Sequence, residues 1–164
     1  MFRKKYLLLL LLLITASCSH NKVFEKYIKI DNYTWKRDNI IKFEVPVEDT
    51  ISLYDITLAL RHTSYYAYAN IRVNIMITYP SGDTRTKDFD IPIRNDNGSF
   101  KGDGAGDLWD ITYPALQEIT LPFKGTYIFE VQNVMPLIET PDIMDVGLIV
   151  RKSKKTVKKE VDSE

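Results

Sequence analysis

The chain of 164 residues is 27% charged and 45% hydrophobic, with 22 basic against 22 acidic side chains. That length suits one folded domain, and zero net charge excludes a wholesale nucleic-acid binder, which needs a basic field to draw in phosphates. The balance is uneven along the chain: residues 18–150 carry 13 basic and 19 acidic side chains, while both ends are basic.

Arg3-Lys4-Lys5 followed by the apolar run Leu7–Ile14 and the small residues Thr15-Ala16-Ser17 has the layout of a signal peptide over 1–17. The run is far short of the roughly 18 apolar residues that span a bilayer. Cys18, the only cysteine, follows directly. A lone exported cysteine has no intramolecular disulfide partner, and its position resembles a bacterial lipoprotein signal, in which the cysteine is acylated and becomes the new N-terminus. Thr15 stands where that signal usually has Leu, Val or Ile, with Ile14 one place earlier. Lipidation of Cys18 is expected to tie the chain to membrane lipid, each buried CH₂ contributing about 0.8 kcal/mol. Residues 18–22 then form a short polar tether.

From residue 23 the dominant period is two, which places one apolar row on one face of a strand. Tyr54, Ile56, Leu58 and Leu60 form such a row, as do Ile71, Val73, Ile75, Ile77 and Tyr79, and again Tyr127, Phe129 and Val131. Shorter candidates are 23–30, 40–45, 86–93, 116–121 and 146–150. Pro80-Ser81-Gly82-Asp83, Asp96-Asn97-Gly98 and Lys124-Gly125 supply turn chemistry between them. About eight strands with no crossover helices predict an all-β antiparallel sandwich of jelly-roll type over 23–152. Residues 153–164 read as a charged, disordered tail; the basic stretch from 151 onward suits either plain solvation or contact with an acidic partner or anionic lipid.

The chemistry-bearing residues are few. Asp96, Asp103 and Asp107 surround the glycine-rich segment 98–106, but without the alternating spacing of an EF-hand, so no metal is expected. GDGAGD lacks the Lys-Ser/Thr of a phosphate loop. His62 is the one histidine of the body, too little for a zinc site, and lacks a nucleophile-elbow signature beside it; it is read as a surface residue at a strand end. No catalytic residue and no cofactor are predicted. Tyr65, Tyr66 and Tyr68 follow Arg61-His62 and concentrate aromatic area near a strand junction. Two readings are open there: Arg61 and the three tyrosines anchor a partner, or the rings plug the end of the sandwich.

The order of motifs resembles the GldH family of gliding-motility lipoproteins of the Bacteroidetes. It is carried by Trp35 ahead of Ile41-Lys42-Phe43, Tyr54-Asp55-Ile56-Thr57-Leu58, Leu60-Arg61-His62 and Tyr66-Ala67-Tyr68-Ala69-Asn70. Tyr79-Pro80-Ser81-Gly82, Gly98-Ser99-Phe100-Lys101-Gly102, Gly125-Thr126-Tyr127-Ile128-Phe129 and Asp145-Val146-Gly147-Leu148 continue it. Pro136 departs from the family pattern, which carries Arg after Met135, and Pro141–Met144 replaces a more glycine-containing segment. The resemblance implies a non-enzymatic lipoprotein of the outer membrane, facing the periplasm, that serves gliding motility and the linked type IX secretion system through contacts with other envelope proteins. It transfers no catalytic or ligand residues. The competing function is a β-sandwich module that binds a glycan or peptide near Tyr65–Tyr68.

Overall fold

The structure is a computed structural model and describes residues 21–154. The signal peptide, Cys18, the start of the tether and residues 155–164 lie outside the described residues. Those described contain no α-helix. Eight principal strands are present: β1 (Lys22–Lys29), β3 (Ile41–Val47), β4 (Leu53–Thr63), β5 (Asn70–Thr78), β6 (Thr84–Pro92), β8 (Leu108–Thr120), β9 (Gly125–Asn133) and β11 (Ile143–Lys152). Three short strands join them, β2 (Thr34–Lys36), β7 (Asp103–Ala105) and β10 (Glu139–Pro141), so the total is eleven rather than eight.

One sheet has the order β1-β11-β4-β8-β7 and the other β3-β9-β5-β6, with β2 and β10 paired as a separate two-stranded ribbon. All pairings are antiparallel. Without the short strands, the chain passes between two four-stranded sheets in the interleaved order of a jelly roll, in which closely paired sheets leave few open edges.

The period-two rows form the core as expected. Tyr54, Ile56, Leu58 and Leu60 of β4 face Ile71, Val73, Ile75 and Ile77 of β5 and Tyr127, Phe129 and Val131 of β9, all buried in one cluster. The alternation sorts apolar from polar across the pleat, and burial of this size drives the two sheets together. Trp35 seals one side. Its indole Nε1 donates to the Asn39 carbonyl at 2.9 Å, and buried Asn133 donates from Nδ2 to the Trp35 carbonyl and to Thr140 Oγ1, both at 2.8 Å. Asn133 Oδ1 accepts from the Met135 amide at 3.0 Å. One buried amide thus fastens the β2/β10 ribbon to β9 with every group satisfied.

The strand register defines two ends. At the near end, Lys22 pairs with Arg151, Lys152 with Tyr54, and Leu53 with Thr120. Val47 opposite Gly125 and Thr78 opposite Thr84 complete that rim. Both described chain ends are here: the Lys152 amide donates to the Asn21 carbonyl and the Ser153 amide to the Leu53 carbonyl. The far end carries the 3₁₀ turn Asp31–Tyr33 and the connections 64–69, 93–107 and 134–142. Strands of nine residues separate the ends by roughly 30 Å.

Candidate functional site

The predicted contact segment lies at the far end, where β4 finishes. Thr63 is fixed from two sides: its amide donates to the Asp142 carbonyl at 3.0 Å and its hydroxyl to the Asp142 carboxylate at 2.7 Å. The next amide, Ser64, donates to the Asp107 carbonyl at 2.8 Å, and the Ser64 hydroxyl to the Asp107 carboxylate at 3.2 Å. These bonds tie the turn after β4 to the glycine-rich segment and to the approach to β11. The turn pushes Tyr65 out to 74% exposure and folds Tyr66 completely inward.

The predicted residues therefore separate. Tyr66 takes the plugging role: it is fully buried, its hydroxyl donates to the Asn70 carbonyl at 2.9 Å, and burial raises its pKa above the usual phenol value. Tyr68 is half-buried with its ring 5.6 Å from that of Tyr66. Arg61 is on the outer face of the sheet, not on the rim. Its guanidinium makes a two-pronged bond to Asp110 (Nε–Oδ1 2.7 Å, Nη2–Oδ2 2.8 Å) and stands 3.7 Å from Asp145. That pair lowers the Asp110 pKa and raises that of Arg61. Arg61 is thus already partnered, on one wall of an open cleft of about 280 Å³ lined also by Tyr27, Lys29, Asp110 and Asp145. Of the four predicted residues, Tyr65 is the one fully exposed on the far rim.

His62 is fully buried, not a surface residue as expected. The reason is phase: β4 continues to Thr63, and 62 is the next inward position after 54, 56, 58 and 60. Its ring sits 5.6 Å from Tyr66 and 5.0 Å from Phe100. Phe100 in turn lies 5.1 Å from Trp109, and the Arg94 guanidinium sits 3.8 Å above the Phe100 ring. Arg94 also donates to the carbonyls of Tyr66 (2.8 Å) and Gly98 (2.9 Å). A cation on an aromatic face, fixed by two carbonyls, holds the glycine-rich segment over the sandwich end.

That segment is ordered. Phe100 bridges to Arg94, and β7 pairs with β8 through Asp103–Asp110 and Ala105–Leu108. Gly102 is obligatory for this path: its φ is +87°, and a Cβ there would lie 2.1 Å from the Asp110 carbonyl oxygen. Among the described residues, no three acidic or imidazole side chains converge as a metal site, Asp96, Asp103 and Asp107 included.

Several surface residues escaped the sequence reading. Tyr33, Ile40, Leu108, Leu137 and Ile138 are exposed apolar side chains, and the topology sets all of them at the same end as Tyr65. Leu137 and Ile138 follow Met135-Pro136 in a segment braced by Arg37, whose Nη2 donates to the carbonyls of Met135, Pro136 and Leu137. The apolar pair after Pro136, outside any alternating run, was the signal available. Six of the nine exposed large hydrophobic side chains among the described residues thus lie at one end of the sandwich.

Comparison with known proteins agrees with this body from edge to edge. The Gliding motility lipoprotein GldH of Flavobacterium johnsoniae is 26% identical over 148 residues, covering 86% of this chain and 91% of its own. The Gliding motility lipoprotein GldH homolog of Christiangramia forsetii is 23% identical over 155 residues, covering 90% and 94%. Among solved structures, the Yersinia pseudotuberculosis-derived mitogen overlays 83% of this chain and 92% of its own at 9% identity and a TM-score of 0.36. The family described as GldH lipoprotein matches residues 22–150, the whole interval from the first residue of β1 to nearly the end of β11. With its sandwich, its buried aromatic plug and its ordered glycine-rich segment inside that match, the chain belongs to the GldH lipoprotein family.

Proposed function

We propose that this chain is a lipid-anchored, non-enzymatic component of the cell envelope, attached through acylated Cys18 to the periplasmic face of the outer membrane. It serves the gliding machinery and the linked type IX secretion system by holding protein partners at its far end. The observation that carries this reading is the opposition of the two ends. The described chain begins at the near end, three residues after Cys18, while six exposed apolar side chains lie at the other. Exposed apolar side chains gathered at one end mark an interaction site, and loops on a fixed scaffold commonly carry recognition. The names of the two relatives support the motility assignment.

The test is co-purification from membranes of the full chain with Cys18 intact, beside Tyr65→Ala with Ile138→Asp. The expected result is that the wild type brings down envelope proteins and the double variant loses them while staying in the membrane. Cys18→Ala should abolish acylation and leave the protein uncleaved or released from the membrane. Retention of the same proteins by the double variant removes the far end as the contact face. Glycan binding by the soluble face in an array, with protein partners unchanged, moves the function to a carbohydrate module.

A further inference from the structure

We infer that the near end is a lipid-docking surface, which inserts Ile51 and Phe123 into the membrane interface beside Lys124 and Lys154. The inference rests on the reading of Cys18 as the acylated anchor. The described chain leaves the body at Asn21, held by the Lys152 amide. Three fully extended residues reach at most about 11 Å, so an acyl chain on Cys18 keeps the near end at the level of the lipid head groups.

What that end presents fits the setting. Ile51, in the connection 48–52, is 78% exposed, more than any other large hydrophobic side chain among the described residues. It is held there. The Asp49 carboxylate accepts from the Ile51 amide (2.9 Å), the Ser52 amide (3.1 Å), the Ser52 hydroxyl (2.7 Å) and Lys152 Nζ (2.6 Å), while the Tyr54 hydroxyl donates to the Asp49 carbonyl. A loop braced by so many bonds has no freedom to fold its isoleucine inward. Phe123, in the connection 121–124, is 44% exposed. Its amide donates to the Tyr127 hydroxyl at 2.9 Å, and its ring stands edge-on to Tyr79 at 6.5 Å.

Charge agrees with the apolar tips. Lys22, Lys124, Lys152 and Lys154 belong to this end. The acids of the near-end connections are Glu48, Asp49 and Asp83; Asp49 pairs with Lys152, and Lys22 pairs with Glu25. Lys124 and Lys154 stay exposed at the same end as the two apolar tips. Stable anchoring generally takes two signals, an acyl group plus apolar or polybasic contact. Docking at this end would also set direction, projecting Tyr65 and its neighbours roughly 30 Å away from the bilayer.

The test uses the full acylated lipoprotein in vesicles of phosphatidylethanolamine and phosphatidylglycerol with brominated acyl chains. Ile51→Cys, Phe123→Cys and, as the far-end control, Tyr65→Cys each carry a polarity-sensitive fluorophore; Cys18 is blocked by its lipid, so each variant has one free thiol. All three positions are exposed, so the labels leave the core untouched. The expected result is a blue shift and bromolipid quenching at positions 51 and 123, with neither at 65. If the protein floats with the vesicles while the probes at 51 and 123 stay in water, the anchor stands and the docking is overturned. Quenching at 65 instead overturns it by reversing the orientation. If the protein fails to float, the anchor reading falls and the docking with it.

Discussion

The imidazole of His62 lies 5.0 Å, centroid to centroid, from the ring of Phe100, and its Nδ1 is 2.9 Å from the Thr63 carbonyl oxygen. A carbonyl only accepts, so Nδ1 carries the proton and donates, and Nε2 is left buried with no hydrogen-bond partner. Adding a second proton at Nε2 would place a charge among aromatic rings without a partner, the costly case for a buried group. Burial accordingly lowers the His62 pKa below its ordinary 6.5; the charge of Arg94 pushes the same way, while the Thr63 carbonyl, Asp110 and Asp142 oppose.

The sign of the resulting pH dependence is fixed. The unfolded chain binds a proton at His62 more readily than the folded one, so stability falls as pH drops from about 6.5 through the lower folded value. Urea unfolding between about pH 7.5 and pH 5 should show this decline in the wild type. His62→Phe, which fills the same space without a titratable nitrogen, should flatten the part of the slope that His62 supplies. An unchanged slope in that variant would assign the acid sensitivity to the carboxylates instead.

Adjacent tyrosines should behave oppositely. Tyr66→Ala empties a fully buried position and removes the bond to the Asn70 carbonyl, for an expected loss of about 3–5 kcal/mol. Tyr65→Ala removes a side chain that touches mainly water and should stay within about 0.5 kcal/mol of wild type. Loss of partner retention in Tyr65→Ala, at a hot-spot magnitude of roughly 2 kcal/mol or more, is the binding prediction. Comparable destabilisation by the two substitutions would contradict the division between rim and core.

That division shows where the sequence was legible. β3, β4, β5 and β9 announced themselves most clearly, because alternation persists there for five or more residues, as in Ile71–Tyr79. The first half of β8 did not. Trp109, Ile111 and Tyr113 do alternate, but the register shifts opposite Ile56 and Thr57, next to Pro114 and Leu116, and the inward phase changes midway. The strands β2, β7 and β10 are three residues each, too short for any period to appear. His62 was readable, since it continues the β4 row by one step, yet a polar residue at a strand end invites a surface reading. Tyr65 and Tyr66 could not be told apart in sequence: the turn after Thr63 breaks the strand, and its direction depends on Asp107 and Asp142, distant in the chain.

Asn133 is expected to be a strong point of the fold. Replacing it with Leu keeps the approximate volume but strips partners from the Trp35 carbonyl, the Thr140 hydroxyl and the Met135 amide. Buried groups left unsatisfied cost about 1–3 kcal/mol each, with partial relief if water enters. Thermal unfolding should therefore shift downward by several degrees or more for a domain of this size. Amide exchange should rise first in the β2/β10 ribbon, which this side chain fastens.

Gly102→Ala tests whether the glycine-rich segment is a built element. The added methyl would require a backbone φ that alanine rarely adopts and would collide with the Asp110 carbonyl. The β7–β8 pairing should open, seen as faster amide exchange at 103–105, while the eight-stranded body stays folded. Unaltered exchange there would mean that the path around Asp110 tolerates a side chain.

Arg61 offers the means to separate a structural pair from a contact residue. Its bidentate bond to Asp110 has good geometry, but both side chains are about half exposed, and exposed pairs contribute only about 0–1 kcal/mol after solvent screening. Arg61→Ala should thus leave the unfolding midpoint nearly unchanged and let the Asp110 pKa rise toward the ordinary carboxylate range, since the Arg61 bond is the main cause of its depression. That rise is readable by NMR titration of the Asp110 carboxyl. If partner retention is also unchanged, the outer face of the sheet lies away from the contact and the far rim alone carries it. If retention falls while stability and fold hold, the contact extends from Tyr65 down the sheet onto the Arg61–Asp110 pair, and Asp110→Asn should then weaken it as well.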